Sequence, residues 1–145
     1  ERAPYNAEHS RNVARYIQNF ISYYNDQYKQ GYVHEYFDDN RSEQLYLAAL
    51  LHDIGRHIQY RQGIGHEISS AQIAPLILDD CDFTVEEKNQ IIEAILKHRD
   101  SKTSEEKNLN GLLYRADKMS RACFCCQVEP ICNWKDEKKN LKLKY

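Results

Sequence analysis

The stretch "LAALLHDIGRH", residues 47–57, ends an apolar run on two polar residues, His52 and Asp53. Neighbouring residues on a helix point about 100° apart, so these two side chains can hold one metal ion only from the end of a helix. Leu45 and Ala49 precede His52 at helical intervals, which places His52 on the apolar face. The pattern therefore predicts a buried helix that ends on a pair of metal ligands.

Four further residues with metal-binding side chains lie on the apolar faces of other predicted helices. Each stands at helical intervals from apolar neighbours: His9 from Val13, Tyr16 and Phe20, His66 from Ile73 and Ile77, His98 from Ile91 and Ile95, and Asp117 from Leu109 and Leu113. Burying several imidazoles and two carboxylates together is costly unless a positive charge compensates them. A divalent metal would do so, which makes all six residues candidate ligands.

The elements that must position these residues are predicted to be helices. Spacings of three and four between apolar positions recur, and repeats and alternating strand-like runs are absent, so we expect an all-α fold of about five core helices. We expect them at about 5–29, from an N-cap at Ser42 to 53, at 66–78, at 85–98 after a capping box of Thr84 and Glu87, and at about 104–120. Pro75 should kink or break the third helix, and the glycines at 55, 63 and 65 predict tight turns before it.

The size and charge of the chain limit its organisation and its partners. Its 145 residues predict one domain, assigned to residues 1–122, and a cysteine-containing extension at 123–145 that packs on it or trails from it. The 20 basic and 22 acidic residues are well mixed, so nothing favours a nucleic acid or a membrane as a partner. Neither a membrane-spanning run nor a signal peptide is evident, which makes the cytoplasm the expected location.

The cysteines, the tyrosines and two histidines have simple interpretations. Four of the five cysteines lie between Cys123 and Cys132; partly buried free thiols are the preferred interpretation, and a zinc or iron–sulfur site through Cys123, Cys126 and Cys132 is the alternative. Six of the eleven tyrosines lie at 23–46; we expect them to pack on the flank of the bundle, the alternative being stacking on a base. His34 and His57 are expected in solvated loops, with contact to substrate as an alternative for His57.

The order His9, then His52 and Asp53, then Asp117 resembles the H…HD…D motif of the HD-domain superfamily of metal-dependent phosphohydrolases, over about residues 5–121. His66 and His98 fall where binuclear members carry ligands for a second metal. The resemblance implies the helical bundle of HD-domain and PDEase-like proteins. It also implies that His9, His52, Asp53 and Asp117 hold one ion, that His66 and His98 hold the other, and that Asp53 bridges the two. Mixed imidazole and carboxylate ligands suit iron, manganese or zinc.

The same resemblance implies hydrolysis of a phosphoester or phosphoanhydride by a hydroxide that bridges two divalent ions. "HDIGR" is close to the HDIGK of cyclic-di-GMP phosphodiesterases, but the GYP segment is missing. "ADKMSR", at 116–121, is similar to a helix end in diadenosine tetraphosphate hydrolases, so a nucleotide is the first choice among small phosphorylated substrates. Asp53, Arg56 and Lys118 are the expected catalytic residues. Cations expected to bind substrate phosphate are Arg56, Arg61, Lys97, Arg99, Lys118 and Arg121.

Two other functions remain open. Mixed-valent di-iron oxygenases of the same fold use a very similar ligand set, and other HD domains sense nucleotides without cleaving them. The oligomeric state is open as well, with a homodimer as one possibility.

Overall fold

The computed structural model describes residues 7–32 and 36–120, and every regular element in these ranges is helical. The elements are α1 (Ala7–Lys29), α2 (Asp39–Leu51), α3 (Arg56–Gln62), α4 (His66–Leu78), α5 (Val85–Lys97), a single 3₁₀ turn (Ser101–Thr103) and α6 (Leu109–Met119). The all-α prediction is confirmed, since five helices of eleven residues or more form the bundle. His34, Arg121 and the residues from 123 to 145 lie outside the described ranges.

Short polar side chains set the helix starts. The capping box of Thr84 and Glu87 at the start of α5 is confirmed in both directions. The prediction that Ser42 caps α2 was wrong, because Asp38 accepts the capping hydrogen bond from the backbone N–H of Arg41 at 2.8 Å. The start expected near 104 for α6 was also too early, since Asn108 caps that helix by accepting from Gly111.

The region of α3 and α4 differs most from expectation. Glycine-rich turns were expected before His66, yet α3 fills most of that stretch, and Gly63 ends it with a φ of 73°. Helix α4 is not broken at Pro75 but continues to Leu78. Its buried face was predicted through Ile73 and Ile77, which was wrong, because Ile77 is exposed. The buried residues are His66, Ser69, Ser70, Ala74 and Leu78.

The core lies between α1, α2, α5 and α6, with α4 packed on α5 and α3 on α4. On α1, Val13 and Ile17 are buried as predicted, and Tyr24 packs against the core with Phe20. The expectation that the other tyrosines pack on the flank was wrong for Tyr23 and Tyr32, which are largely exposed. Within residues 7–32 and 36–120, every helix is too short or too polar to span a lipid bilayer.

Candidate metal centre

The six predicted ligands converge, although they come from five different helices or their ends. His9 lies in the first turn of α1, His52 and Asp53 directly follow α2, His66 begins α4, His98 directly follows α5, and Asp117 lies near the end of α6. The position of His52 and Asp53 at a helix end is as predicted. Nε2 of His9 is 2.9 Å from Oδ1 of Asp117, which is 108 residues away in the chain.

The carboxylate of Asp53 lies at the centre of this cluster and presents one oxygen to each pair of histidines. Its Oδ2 is 3.7 Å from Nε2 of His9 and 3.6 Å from Nε2 of His52. Its Oδ1 is 3.2 Å from Nε2 of His66 and 3.7 Å from Nε2 of His98. This is the arrangement in which a single carboxylate can bridge two ions.

In three of the histidines, a hydrogen bond at Nδ1 leaves Nε2, the nitrogen that faces the cluster, available to a metal ion. Nδ1 lies within hydrogen-bond distance of an oxygen acceptor in each case: His52 at 2.5 Å from the carbonyl of Ala49, His98 at 2.6 Å from that of Ile95, and His66 at 2.9 Å from Oε1 of Gln59. A neutral imidazole that donates from Nδ1 keeps a lone pair on Nε2. The lone pairs of His66 and His98 then face each other at an Nε2 to Nε2 distance of 3.1 Å.

Burying these facing lone pairs costs free energy unless a cation lies between them. His52, Asp53 and His98 are 0%, 2% and 1% exposed. Nε2 of His52 and Oδ1 of Asp53 are buried without a hydrogen-bond partner in the described structure. An unpartnered buried polar atom costs about 1–3 kcal/mol. Three overlapping groups of ligand atoms, each within 4.8 Å, are formed by His9, His52 and Asp53, by His52, His98 and Asp117, and by Asp53, His66 and His98. The donor set therefore fits divalent ions.

The protonation states also suit metal binding. Burial would raise the pKa of Asp117, but the contact with His52 and the hydrogen bond with His9 hold this pKa well below its usual value. Burial would raise the pKa of Asp53 as well, but the contact of its carboxylate with His66 and the charges of His52 and Arg56 lower this pKa. Burial and the charge of His52 lower the pKa of His98 to about 3.

His52 behaves in the opposite way to His98. Burial would lower its pKa, but the contact of its Nε2 with Asp117 at 3.3 Å and the charges of Asp53 and Asp117 raise it. The cluster thus holds two ionised carboxylates, and their charges favour a positive charge among the histidines.

A close contact holds the turn after α2 against α4. The backbone N–H of Gly55 donates to Oγ of Ser70 at 2.9 Å. A Cβ at position 55 would lie 2.5 Å from the backbone nitrogen of Ser70 and 2.7 Å from the carbonyl carbon of Ser69. Gly55 was assigned to a turn from the sequence; the structure shows that it also permits this approach, two residues after Asp53.

Two of the predicted cations lie at the centre. Nε of Arg56 is 3.2 Å from Oδ2 of Asp53, and Nζ of Lys118 is 3.0 Å from Oδ2 of Asp117. The side chains of His9, Arg56 and Lys118 are 23%, 32% and 30% exposed, whereas the ligands beneath them are nearly closed to solvent. These three residues therefore mark the side of the cluster that is open to solvent.

The other predicted cations are placed differently. Lys97 contacts Glu93 at 2.9 Å and Arg99 contacts Glu67 at 3.1 Å, while Arg61 is exposed at the end of α3. Their contact with substrate stays a prediction. His57 is exposed as expected, but it lies on α3 and not in a loop.

A cavity of about 440 Å³ lies away from the ligand cluster, between the early part of α2, the middle of α5 and the start of α6. Its lining includes Phe37, Arg41, Gln44, Glu93 and Asn110. We place the functional site at the cluster, because the cavity lacks a convergent set of histidines and carboxylates.

One residue of the site was not predicted from the sequence. Gln59, which accepts hydrogen bonds from His66, is uncharged and lies on a helix that the sequence did not predict.

Comparison with known proteins places these residues in a family. A sequence model of the HD domain matches residues 6–122, which include all six candidate ligands. An uncharacterized protein of Clostridium beijerinckii is 48% identical over 103 residues, which are 71% of this chain and 64% of the relative. The chain thus spans a little less than two thirds of the length of that relative. No solved structure matched.

Proposed function

Because the chain belongs to the HD-domain family, we propose that it is a binuclear metal-dependent phosphohydrolase acting on a small phosphorylated molecule. The observation that supports this most directly is the carboxylate of Asp53, with one oxygen facing His9 and His52 and the other facing His66 and His98. A single ion would leave one of these oxygens, and the histidines that face it, without a positive partner. Two ions would give each oxygen of Asp53, and the histidines that face it, a positive partner.

The proposed ligand sets follow from these distances. His9, His52, Asp117 and Oδ2 of Asp53 would hold one ion, and His66, His98 and Oδ1 of Asp53 would hold the other. Iron, manganese and zinc all suit such ligands. When bound, a pair of divalent ions supplies the positive charge that makes water nucleophilic at neutral pH and polarises a phosphoryl group.

The chain's own residues would bind and orient the substrate. Arg56 and Lys118 are the cations on the open side of the cluster, and both already contact carboxylates that would hold metal. Once ions neutralise Asp53 and Asp117, both cations would exchange these carboxylates for phosphate oxygens. The buried ring of His52 and its neighbour His98 exclude bulk water from the inner side. We propose a nucleotide as the first substrate class to test, from the likeness of the "ADKMSR" segment described above.

A phosphate-release assay tests the proposal. Protein purified without chelators would be analysed for metal and then incubated, with added manganese or iron, with nucleotides, dinucleoside polyphosphates and simple phosphoesters. Asp53→Asn keeps the shape of the side chain and removes its charge, whereas Asp82→Asn makes the same change at an exposed position remote from the ligands. We expect turnover of at least one substrate by the wild type and by Asp82→Asn, and a loss of about 100-fold or more in Asp53→Asn. A wild type that is no better than Asp53→Asn on every substrate overturns the proposal.

The same experiment separates the two other functions. Oxygen consumption that requires iron, without phosphate release, would identify an oxygenase. Recovery of intact nucleotide after long incubation with metal-loaded protein that binds it would identify a sensing module. Turnover supported by manganese argues against both.

The role of the exposed cations is tested separately. Arg56→Gln should lower kcat/KM about 100-fold, since it removes one charged donor near the reacting phosphate. Arg41→Gln is the matched control, because that guanidinium lies over the ring of Phe37 at the start of α2. An unchanged kcat/KM in Arg56→Gln would remove this residue from the substrate site.

A further inference from the structure

Gln59 lies on the short helix α3 and contacts the first residue of α4. Its Oε1 is 2.7 Å from the backbone nitrogen of His66 and 2.9 Å from Nδ1 of the same residue. The residue before His66 is Gly65, which has no side chain to cap α4. One oxygen of Gln59 thus serves both the start of the helix and the imidazole ring.

We propose that Gln59 is a positioning residue for one ion of the proposed binuclear centre, on which this inference rests. Its oxygen would hold His66 with the proton on Nδ1 and so reserve Nε2 for the ion shared with His98 and Asp53. The other proposed ion, held by His9, His52, Asp53 and Asp117, would not depend on it.

The backbone hydrogen bond decides which atom of the Gln59 amide faces His66. A backbone N–H can only donate, so the amide must present its oxygen and not its NH₂ group. That oxygen is also the atom beside Nδ1. Since an oxygen without a proton can only accept, Nδ1 must donate, and the proton of neutral His66 is fixed on that nitrogen.

The alternative tautomer of His66 would block the centre. A proton on Nε2 would point towards Nε2 of His98 at 3.1 Å and Oδ1 of Asp53 at 3.2 Å, both of which accept hydrogen bonds. These contacts would satisfy the acceptors without a metal. Gln59 therefore opposes a state in which His66 cannot bind an ion.

The position of His66 in the fold explains why its Nδ1 needs an acceptor from another helix. His52 and His98 follow the ends of α2 and α5, where carbonyl groups of their own helices, at Ala49 and Ile95, accept from Nδ1. His66 begins a helix, so no helical carbonyl precedes it. The acceptor has to come from another element, and α3 provides it.

Metal-binding stoichiometry tests the inference with Mn²⁺ as the probe. Gln59→Met keeps the length of the side chain and removes the acceptor, while Gln59→Glu keeps an oxygen that can accept both hydrogen bonds. Gln62→Met is the matched control, because Gln62 is an exposed glutamine of the same helix. We expect two ions in the wild type, in Gln59→Glu and in Gln62→Met. In Gln59→Met we expect one ion of unchanged affinity and a second weakened about 10- to 100-fold.

The outcomes separate this inference from the proposed function. If the wild type binds two ions and Gln59→Met binds both with unchanged affinity, the role of Gln59 is wrong and the binuclear centre stands. If the wild type itself does not bind two ions, the centre is wrong. A measurement that needs no variant is ¹⁵N NMR of the imidazoles in metal-free protein. A proton on Nδ1 of His66 supports the inference, and one on Nε2 overturns it.

Discussion

Replacing Gly55 by alanine would show how strongly the ligand pair depends on contact between its turn and α4. The added Cβ would lie 2.5 Å from the backbone nitrogen of Ser70 and 2.7 Å from the carbonyl carbon of Ser69. Rotation of a side chain cannot relieve this overlap, because both are backbone atoms of a helix. Ordinary contact between heavy atoms needs about 3.5 Å or more, so the turn and the helix must separate by roughly 1 Å.

This separation has an energetic and a functional effect. Overpacking at a buried position costs about 1–3 kcal/mol. The hydrogen bond from Gly55 to Ser70, 2.9 Å long, would lengthen as well, and a buried donor left without a partner costs about 1–3 kcal/mol. We therefore expect Gly55→Ala to lower the free energy of unfolding by about 2–4 kcal/mol. Asp53 is two residues away, so the same displacement should also weaken the binding of a metal ion by its carboxylate.

Urea unfolding and metal titration measure both effects. Ser70→Ala is the control, because it removes only the hydrogen bond and should lower the free energy of unfolding by about 1–3 kcal/mol while metal affinity is retained. Gly55→Ala should lose more stability than Ser70→Ala and should also bind metal more weakly. A Gly55→Ala protein that unfolds within about 0.5 kcal/mol of the wild type and binds metal equally well would refute the reasoning.

Three further predictions concern metal and local stability. Chelation should lower the free energy of unfolding by about 2.7 kcal/mol relative to protein kept at a metal concentration 100-fold above the Kd, as calorimetry would show, and an unchanged value would contradict the centre. Thr84→Ala should cost about 1 kcal/mol in urea unfolding, through loss of the α5 cap, and leave metal binding unchanged. Hydrogen bonds from the backbone and hydroxyl of Thr84 lower the pKa of Glu87 below 4.5. The ionised group therefore stabilises the fold above pH 4.5, and this advantage is lost as the pH falls through the lowered pKa. Urea unfolding at pH 7 and pH 3 should show the difference between wild type and Glu87→Gln shrinking at the lower pH; a constant difference would be inconsistent with this.

Four members of the ligand cluster were predictable because they stand at helical intervals from buried apolar residues: His9, His52, His98 and Asp117. His52 and His98 end apolar faces that the structure buries as expected, and Asp117 shares the buried face of α6 with Leu113. Spacing along a helix is a local property, so a single sequence shows it. The split of the Asp53 oxygens between two pairs of histidines depends on how five elements meet, and no local pattern gives that geometry.

The predictions that were wrong, for α3, for the buried face of α4 and for the cap of α2, also have physical explanations. Helix α3, "RHIQYRQ", has no buried residue, so it shows no apolar period to detect. The face of α4 was misplaced because apolar residues surround this helix, and the small residues Ser69 and Ser70 form its close contact with the turn at Gly55. Ser42 and Asp38 are both good capping residues, and only the backbone geometry of Asp38 decides between them.

The histidines that directly follow α2 and α5 have one more consequence. The carboxyl-terminal end of a helix carries a partial negative charge of about half an electron. Two such ends lie at the cluster, but the amino-terminal ends of α1 and α4, at His9 and His66, lie there too and carry the opposite partial charge. The helix ends therefore offset one another, and the two ionised carboxylates give the local field its negative sign. In the proposed function, cations would have to bind before a phosphorylated molecule, because these carboxylates otherwise repel its phosphate.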